Sequence, residues 1–164
     1  MGDDLPTLRL APELIPRPLF GHSAHRLLPG TAWRRVRARE LDRSGPACEV
    51  CGRQQAKGLV AHERWLHRPD PPVAVLAAIR MQCRPCDAAT HIGLADGQGR
   101  GRQARATLVR VNGNSWADAE LLIEAAYERW AQLSSLTGWT ADVMPALLAT
   151  HPELAVVRDT PVAG

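Results

Sequence analysis

The chain has 164 residues, of which 45% are apolar and 23% charged, a composition typical of one globular domain with a real core. Mean hydropathy is -0.21, and no stretch approaches the ~18 uninterrupted apolar residues of a membrane span, which excludes membrane-spanning and wholly disordered proteins. The net charge of +3 is uneven: residues 1–60 carry 10 basic and 6 acidic side chains, residues 61–110 carry 8 and 4, and residues 111–164 carry 2 and 7. The first two thirds of the chain are therefore a basic body, and the last third is acidic.

The first predicted region, residues 1–45, is a proline-rich basic arm followed by a short helix. It begins with Met1–Pro6, which is acidic where a signal peptide is basic, and no apolar segment follows, so we expect a cytoplasmic protein. Proline disfavours both helix and ladder pairing, so residues 1–30 are predicted to be extended, either wrapped on the body or partly loose. The prolines are Pro6, Pro12, Pro16, Pro18 and Pro29. The helix is predicted from Trp33 to Leu41.

The second predicted region, residues 46–98, is organised by two C-x2-C pairs. The four cysteines are Cys48, Cys51, Cys83 and Cys86. Structural disulfides are rare in a reducing compartment, and two such pairs in one chain are typical of a tetrahedral zinc site. A redox-active C-x-x-C motif would explain one pair but not both. The 31 residues between the pairs exceed the usual ~15–20, so a sizeable element is predicted between them.

The segment between the cysteine pairs is predicted to be a β-hairpin. Leu59–Trp65 alternates as a strand does, with Glu63 on one face and His62 on the other. Val73–Gln82 is interpreted as an extended segment that pairs with this strand, although periodicity alone also permits a helix. A short helix from Asp87 to Ala95 is predicted to follow the second cysteine pair.

The rest of the chain is predicted to be a helical extension over residues 99–157 and a loose tail over residues 158–164. Helices are predicted from Arg102 to Val111, from Trp116 to Leu136 and around Val143–Thr150. Ser115 and Asp118 form a capping box at the start of the long helix. This helix also carries a row of acidic side chains, Asp118, Glu120, Glu124 and Glu128. Such a helix could dock a basic protein partner.

A second metal site is predicted where the hairpin and the following helix meet. Asp87 and His91 share one face of a helix because they are four residues apart, and the strand residue His62 could converge with them. Oxygen and imidazole ligands of this kind suit a divalent ion such as Mg²⁺, Mn²⁺ or Zn²⁺ with open coordination positions. Glu63 is a further catalytic candidate, although pleating points it away from His62.

Each of these four residues also has an ordinary interpretation. His62 could be a structural neighbour of the zinc or replace one of its cysteine ligands, and Glu63 could be a solvated strand residue. Asp87 could be an acid favoured by the helix dipole, and His91 could be a core or surface residue. The spacing alone leaves these alternatives open.

The order of "CEVCG", "LVAHERW" and "CRPCDAATH" resembles the HNH-like, treble-clef zinc-binding family of bacteria and phages, over roughly residues 18–95. The resemblance implies an α+β fold: a zinc-stapled ββα core with a helical C-terminal extension. Active members of the family cleave nucleic acid with one divalent ion. By this resemblance His62 is a ligand or general base, Asp87 stands at the position of a histidine ligand, and His91 is an additional ligand or orienter.

The chain departs from the family pattern in its catalytic motif. Ala61 precedes His62, where the family would offer a second histidine or an aspartate. The family's asparagine would fall near Ala78, yet the chain has no asparagine before Asn112. The HNH motif is therefore degenerate.

Two groups of arginines are candidates for nucleic-acid contacts, because arginine suits bidentate contacts to phosphate. They are Arg34, Arg35, Arg37 and Arg39 in the first predicted helix, and Arg100, Arg102 and Arg105 beside glycines. A solvated helix face, or a GC-rich genome that replaces lysine by arginine, would explain the same bias.

Three functions are therefore predicted as alternatives. The first is a zinc-binding, HNH-like protein that interacts with DNA or RNA and carries a degenerate nuclease site. The second is an active endonuclease that depends on a second divalent ion such as Mg²⁺ or Mn²⁺. The third is an adaptor in which zinc supplies only shape and the acidic helix binds a protein partner.

Overall fold

The computed structural model describes residues 8–55 and 57–163, and it has the mixed α+β architecture that the sequence predicts. Its strands are β1 Val60–Pro69, β2 Pro72–Gln82 and β3 Thr140–Val143. Its helices are α1 Ala24–Leu27, α2 Gly30–Ser44, α3 Arg84–Thr90, α4 Ile92–Gly97, α5 Gly101–Asn112, α6 Trp116–Ser134, α7 Pro145–Thr150 and α8 Ala155–Asp159. The acidic start Met1–Pro6, on which the expected location rests, lies outside the described residues, as does Gly164.

The predicted hairpin is present and longer than expected. β1 and β2 pair antiparallel, with His62 opposite Arg80 and an irregularity between Arg64 and Trp65. β2 is the central strand of a three-stranded sheet in the order β1-β2-β3, so β1 forms one edge. The hairpin spans the distance between the two cysteine pairs, and its two ends bring those pairs together.

The C-terminal prediction was wrong in two places. β3 pairs parallel to β2, with Val143 beside Leu76, and a four-residue strand of this kind has too little alternation to be recognised. The predicted loose tail is ordered at its start, because α8 extends to Asp159 and Val157 is fully buried. Val162 also packs on the core.

The prediction that the prolines keep residues 1–30 free of helix was also wrong. α1 forms within this segment, and α2 begins directly after Pro29, where the missing proline N–H costs nothing. The described part of the arm wraps the body: Leu10 is buried, and the Asn112 side chain both accepts from the Leu10 N–H and donates to the Leu10 carbonyl.

The predicted helix from Asp87 to Ala95 is two helices. α3 begins earlier than predicted, at Arg84, and the helix is interrupted at His91, after which α4 starts. α5 and α6 agree with the predicted extension, and α6 opens with the capping box of Ser115 and Asp118.

The largest buried cluster surrounds the cysteines and collects side chains from both ends of the hairpin and from α3 to α6. A second cluster packs α1, α2 and α8 against the sheet. Within residues 8–55 and 57–163, no helix combines the length and the apolar character needed to cross a bilayer.

Candidate metal centres and adjoining cavity

The four cysteines form one cluster, which the sequence predicts. Their Sγ atoms all lie within 4.8 Å of one another, and Cys51 Sγ is 3.8 Å from Cys83 Sγ. The first pair sits on a tight turn, in which the Gly52 N–H donates to the Cys48 carbonyl over 2.8 Å and Gly52 adopts φ +75°. The second pair opens α3, with Cys83 at its N-cap and Cys86 in its first turn. Four cysteines so close together can hold a metal ion.

The chemistry around the thiols fits a tetrahedral ion such as zinc. Burial raises the pKa of Cys48, but backbone N–H groups of Cys51, Cys83 and Val50 outweigh it and lower the pKa to about 7. Burial and the neighbouring thiols raise the pKa of Cys86. Four crowded thiols therefore resist joint deprotonation unless a cation offsets their charge, and thiolates are the ligands that structural zinc sites use.

The hairpin is tied directly to the first cysteine pair through Glu49. The Glu49 N–H donates to the Met81 carbonyl over 2.9 Å, and the Met81 N–H donates to Glu49 Oε2 over 2.7 Å. Arg43 of α2 donates to the same carboxylate over 2.9 Å. These bonds hold the turn of the first pair against the end of β2, beside the second pair.

His62, Asp87 and His91 form a second cluster next to the cysteines, since Asp87 directly follows Cys86 in α3. Each offers one nitrogen or oxygen atom within 4.8 Å of the others. Asp87 Oδ1 lies 3.4 Å from His62 Nδ1 and 3.7 Å from His91 Nε2. Asp87 and His91 lie on one face of α3, because the His91 N–H still donates to the Asp87 carbonyl over 3.0 Å, as in a regular helical turn.

The imidazole of His62 is buried, with 2% of its side chain exposed, and its two nitrogens face different partners. Nε2 lies 3.3 Å from Glu13 Oε2, whereas Nδ1 has no hydrogen-bond partner among residues 8–55 and 57–163. Burial lowers the pKa of His62, but the carboxylates of Asp87 and Glu13 outweigh it and raise the pKa to about 9. A cation bound at Nδ1 would have to displace the proton that Asp87 and Glu13 stabilise on His62, so metal and proton compete for the space between His62, Asp87 and His91.

Glu63 does not belong to this cluster, which corrects its place among the catalytic candidates. It points to the other face of β1, where its carboxylate accepts from the Ala24 and His25 N–H groups over 2.8 and 2.9 Å. His25 Nδ1 and Trp65 Nε1 also contact it, at 3.0 and 3.2 Å. Glu63 thus caps the start of α1, and the pleat of the strand separates it from His62.

A cavity of about 520 Å³ adjoins the His62–Asp87–His91 cluster at the edge formed by β1. Residues of both faces of β1 reach it, since it wraps around this edge strand. Its walls come from the arm, α2, β1 and α3–α4, and include Glu13, Ile15, Trp33, Trp65, His67 and Leu94. The cavity has the size of small-molecule pockets, which span about 300–1,000 Å³.

The predicted nucleic-acid arginines divide into paired and exposed ones. Arg37 donates to the Leu59 carbonyl, Arg39 pairs with Glu153 at 2.7 Å, and Arg105 pairs with Asp96 and Glu120. These three serve internal contacts. Arg39 is exposed as well as paired, and Arg34, Arg35, Arg100 and Arg102 are also exposed, with Arg100 donating to Gln98 Oε1.

The acidic helix that was predicted to dock a partner is likewise partly used inside the chain. Asp118 caps α6, and Glu120 accepts from Arg105 over 2.9 Å. Glu124 and Glu128 are exposed.

Sequence reasoning missed two residues beside the second cluster. Glu13, from the proline-rich arm, is held by a bond from its N–H to the Thr90 carbonyl and lies 49 positions from His62. Arg84 lines a depression next to Asp87 and His91. Its position inside the second C-x2-C pair is the one signal that could have drawn attention to it.

Comparison with known proteins adds no assignment, since neither a family model, nor a curated protein, nor a solved structure matches this chain. The candidate sites are therefore judged by their own geometry.

Proposed function

We propose that this protein is a zinc-stabilised, metal-dependent hydrolase of phosphodiester bonds in nucleic acid, of HNH-like descent. Cys48, Cys51, Cys83 and Cys86 would hold the structural zinc. His62, Asp87 and His91 would hold a second divalent ion such as Mg²⁺ or Mn²⁺. The observation that carries the proposal is the convergence of His62, Asp87 and His91 beside a cavity, with the buried Nδ1 of His62 3.4 Å from Asp87 Oδ1 and Glu13 at its other nitrogen.

The order of the elements supports the HNH-like, treble-clef interpretation. A tight turn with one cysteine pair leads into a hairpin, and the hairpin leads into a helix that opens with the other pair. His62 lies on the first strand of the hairpin and Asp87 directly follows Cys86. These are the positions to which the family resemblance assigns the strand histidine and the helix ligand. The family's asparagine is still missing, so this site would be a variant of the family's own.

Three ligands in the second cluster match the chemistry of a catalytic rather than a structural metal. A structural site is closed by four protein ligands, whereas three ligands leave positions for water and substrate. When bound there, a divalent ion supplies charge stabilisation to a phosphoryl group and lowers the pKa of a bound water. The chain's own contribution is positional: Glu13 orients His62, and the His91 backbone N–H on the Asp87 carbonyl fixes the turn.

The exposed arginines Arg34, Arg35, Arg100 and Arg102 lie in the basic first two thirds of the sequence. Such positive charge fits a polyanionic substrate. Four reduced cysteines also fit the cytoplasmic location that the sequence predicts, because thiols persist in a reducing compartment.

The proposal is tested by cleavage of labelled single- and double-stranded DNA and RNA with Mg²⁺ or Mn²⁺ added to the zinc-loaded protein. We expect cleavage that is lost in Asp87→Asn and His91→Gln and retained in Asp159→Asn, an exposed aspartate in α8. Manganese binding, measured by calorimetry, should be lost in the same two variants.

Two outcomes would count against this function. Absence of both manganese binding and cleavage removes the second metal site and the enzyme together. Salt-dependent binding of nucleic acid without cleavage would instead support the binding protein with a degenerate nuclease site.

A further inference from the structure

Two depressions of opposite chemical character meet at the second cluster. One is the cavity of about 520 Å³ at the edge of β1, and the other is a shallower depression of about 300 Å³ on the α3–α4 side. Both are lined by Val60, Asp87, His91 and Leu94. A ligand that fills both would therefore pass directly over Asp87 and His91.

The α3–α4 depression is cationic. Arg84 from α3 and Arg100 from the turn after α4 line it together with Asp87 and His91, and both arginines are exposed. The same two arginines also line a third depression, of about 280 Å³, on the neighbouring surface of α3 and α5. Paired guanidinium groups at exposed sites are well suited to phosphate oxygens, because arginine offers a planar fork of donors.

The cavity at the β1 edge suits a flat aromatic ring and disfavours phosphate. Trp33 and Trp65 line it, together with the imidazoles of His25 and His67, and such rings stack on nucleobases. Its three acids, Glu13, Glu63 and Asp87, disfavour a phosphate group, whereas in the α3–α4 depression Asp87 stands against two arginines. Its one arginine, Arg37, already donates to the Leu59 carbonyl over 2.9 Å.

The edge strand adds hydrogen-bonding capacity to this cavity. A strand at the edge of a sheet presents N–H and C=O groups along its open side, and β1 is such a strand. A nucleobase carries donors and acceptors on its edge and apolar faces above and below, so it can use both the strand and the aromatic rings.

We propose that the substrate is single-stranded nucleic acid, of which one unpaired nucleotide binds with its phosphate at Arg84 and Arg100 and its base in the cavity at the β1 edge. This inference rests on the proposed function and names its substrate class. A paired base cannot enter such a cavity unless it leaves the helical stack, and this costs binding energy that a single strand does not spend. The preference for single strands follows from that difference.

The test is a binding and cleavage comparison on four 12-nucleotide probes of matched length: single-stranded DNA, single-stranded RNA, the blunt DNA duplex, and an abasic single strand. Anisotropy with Ca²⁺ gives the affinity, and Mn²⁺ gives the cleavage rate. We expect a single strand to bind at least about tenfold more tightly than the duplex, and the abasic strand to lose about fivefold or more, since stacking on aromatic rings is lost. The DNA and RNA probes distinguish the two natural sources of a single strand.

Two pairs of variants separate the cavity from the arginines. Ile15→Trp fills part of the cavity at a residue that is 39% exposed and does not line the α3–α4 depression, and Ile15→Ala is its control. We expect the Trp variant alone to reduce single-strand affinity by about fivefold or more. The double variant Arg84→Gln/Arg100→Gln should lower the salt slope by about 0.7, because the two arginines share one phosphate and each phosphate neutralised on a single strand contributes ~0.7. Arg158→Gln, on α8, should leave the slope unchanged.

Equal or tighter binding of the duplex would overturn the inference, as would full affinity of the abasic strand or of Ile15→Trp. These failures differ from failure of the proposed function. Metal-dependent cleavage that prefers the duplex keeps the enzyme and rejects the single-stranded substrate. Base-dependent binding of single strands without cleavage keeps the nucleotide site and rejects the enzyme.

Discussion

The cysteine cluster and the His62–Asp87–His91 cluster are joined by the single step from Cys86 to Asp87, yet their surroundings differ. Three of the four thiols are buried, and all lie in the largest core of the chain. In the second cluster only His62 is buried, while the side chains of Asp87 and His91 remain 26% and 32% exposed. The second cluster also opens onto the cavity of about 520 Å³ at the edge of β1.

Under the proposed function, this difference would separate a metal that stabilises the fold from a metal that acts on a substrate. An ion closed in by four protein ligands only holds two chain segments together. An ion held by three ligands at the wall of a cavity would leave room for a substrate, and we expect the fold to form without it. Substitutions of the neighbouring residues Cys86 and Asp87 should therefore differ: the first should lower stability and zinc content, and the second should abolish manganese binding.

The largest effect is expected from Cys86→Ser. Loss of a thiol should release the zinc and separate the first cysteine pair from the start of α3, at a cost of about 4 kcal/mol or more. The midpoint of thermal unfolding should fall by about 10 °C or more, as followed by circular dichroism. Metal analysis should show that one equivalent of zinc is lost, whereas Ala88→Ser on the same helix keeps it. A Cys86→Ser protein with full zinc and unchanged melting would show that the thiols are not a metal site.

The thiol cluster could be predicted from sequence because its geometry is mostly local. Each C-x2-C pair sits on one turn or one helix start, so the spacing already fixes half of the site. His62, Asp87 and His91 were also found, through the period of a strand and the i, i+4 spacing of a helix. The break between α3 and α4 at His91 left no signal in the pattern.

Contacts made across the fold could not be predicted. Glu13 reaches His62 only because the arm is bound to Thr90, and no periodicity links positions 49 apart. The arginines illustrate the same limit: Arg37 and Arg105 look like Arg34 in sequence, but they are paired with groups from other elements. The charge pattern of a sequence shows how many arginines there are, but not which of them are paired within the fold.

Glu63 lies outside the His62–Asp87–His91 cluster, so its substitution should not affect metal binding there. Glu63 is adjacent to His62 in the chain, but its carboxylate serves α1, so Glu63→Ala should leave manganese affinity within about twofold. It should lower the free energy of unfolding by about 1–3 kcal/mol, because two backbone N–H groups and the Trp65 indole lose their acceptor. Urea denaturation measures the loss. Weaker manganese binding with unchanged stability would instead return Glu63 to the metal site.

Acidic pH should remove the contribution of Glu63 to stability. Burial raises the pKa of Glu63, but hydrogen bonds from the His25 side chain and from the His25 and Ala24 N–H groups hold it below its ordinary value of 4.5. The unfolded chain then binds the proton more readily than the folded one, so this contribution to stability is complete above about pH 4.5 and is lost as the pH falls through the folded pKa. The gap in unfolding free energy between wild type and Glu63→Gln should therefore narrow below pH 4.5. A gap that stays constant from pH 7 to pH 3 would contradict this account.

Asp87→Asn, one residue from the site of the largest effect, should lower stability less than Cys86→Ser does. Asp87 lies in the first turn of α3, where the helix dipole favours a negative charge by about 0.3–1 kcal/mol, and its carboxylate also lies 3.4 Å from the buried His62 imidazole, so its loss should cost about 1–3 kcal/mol in all. Urea unfolding should therefore shift within that range, and zinc content should stay at that of the wild type, while manganese binding at the open site is lost. Loss of zinc from Asp87→Asn would mean that the two clusters fold as one unit. Retention of zinc together with loss of manganese would separate them across a single peptide bond, because only the thiols would then be needed to hold the hairpin to α3.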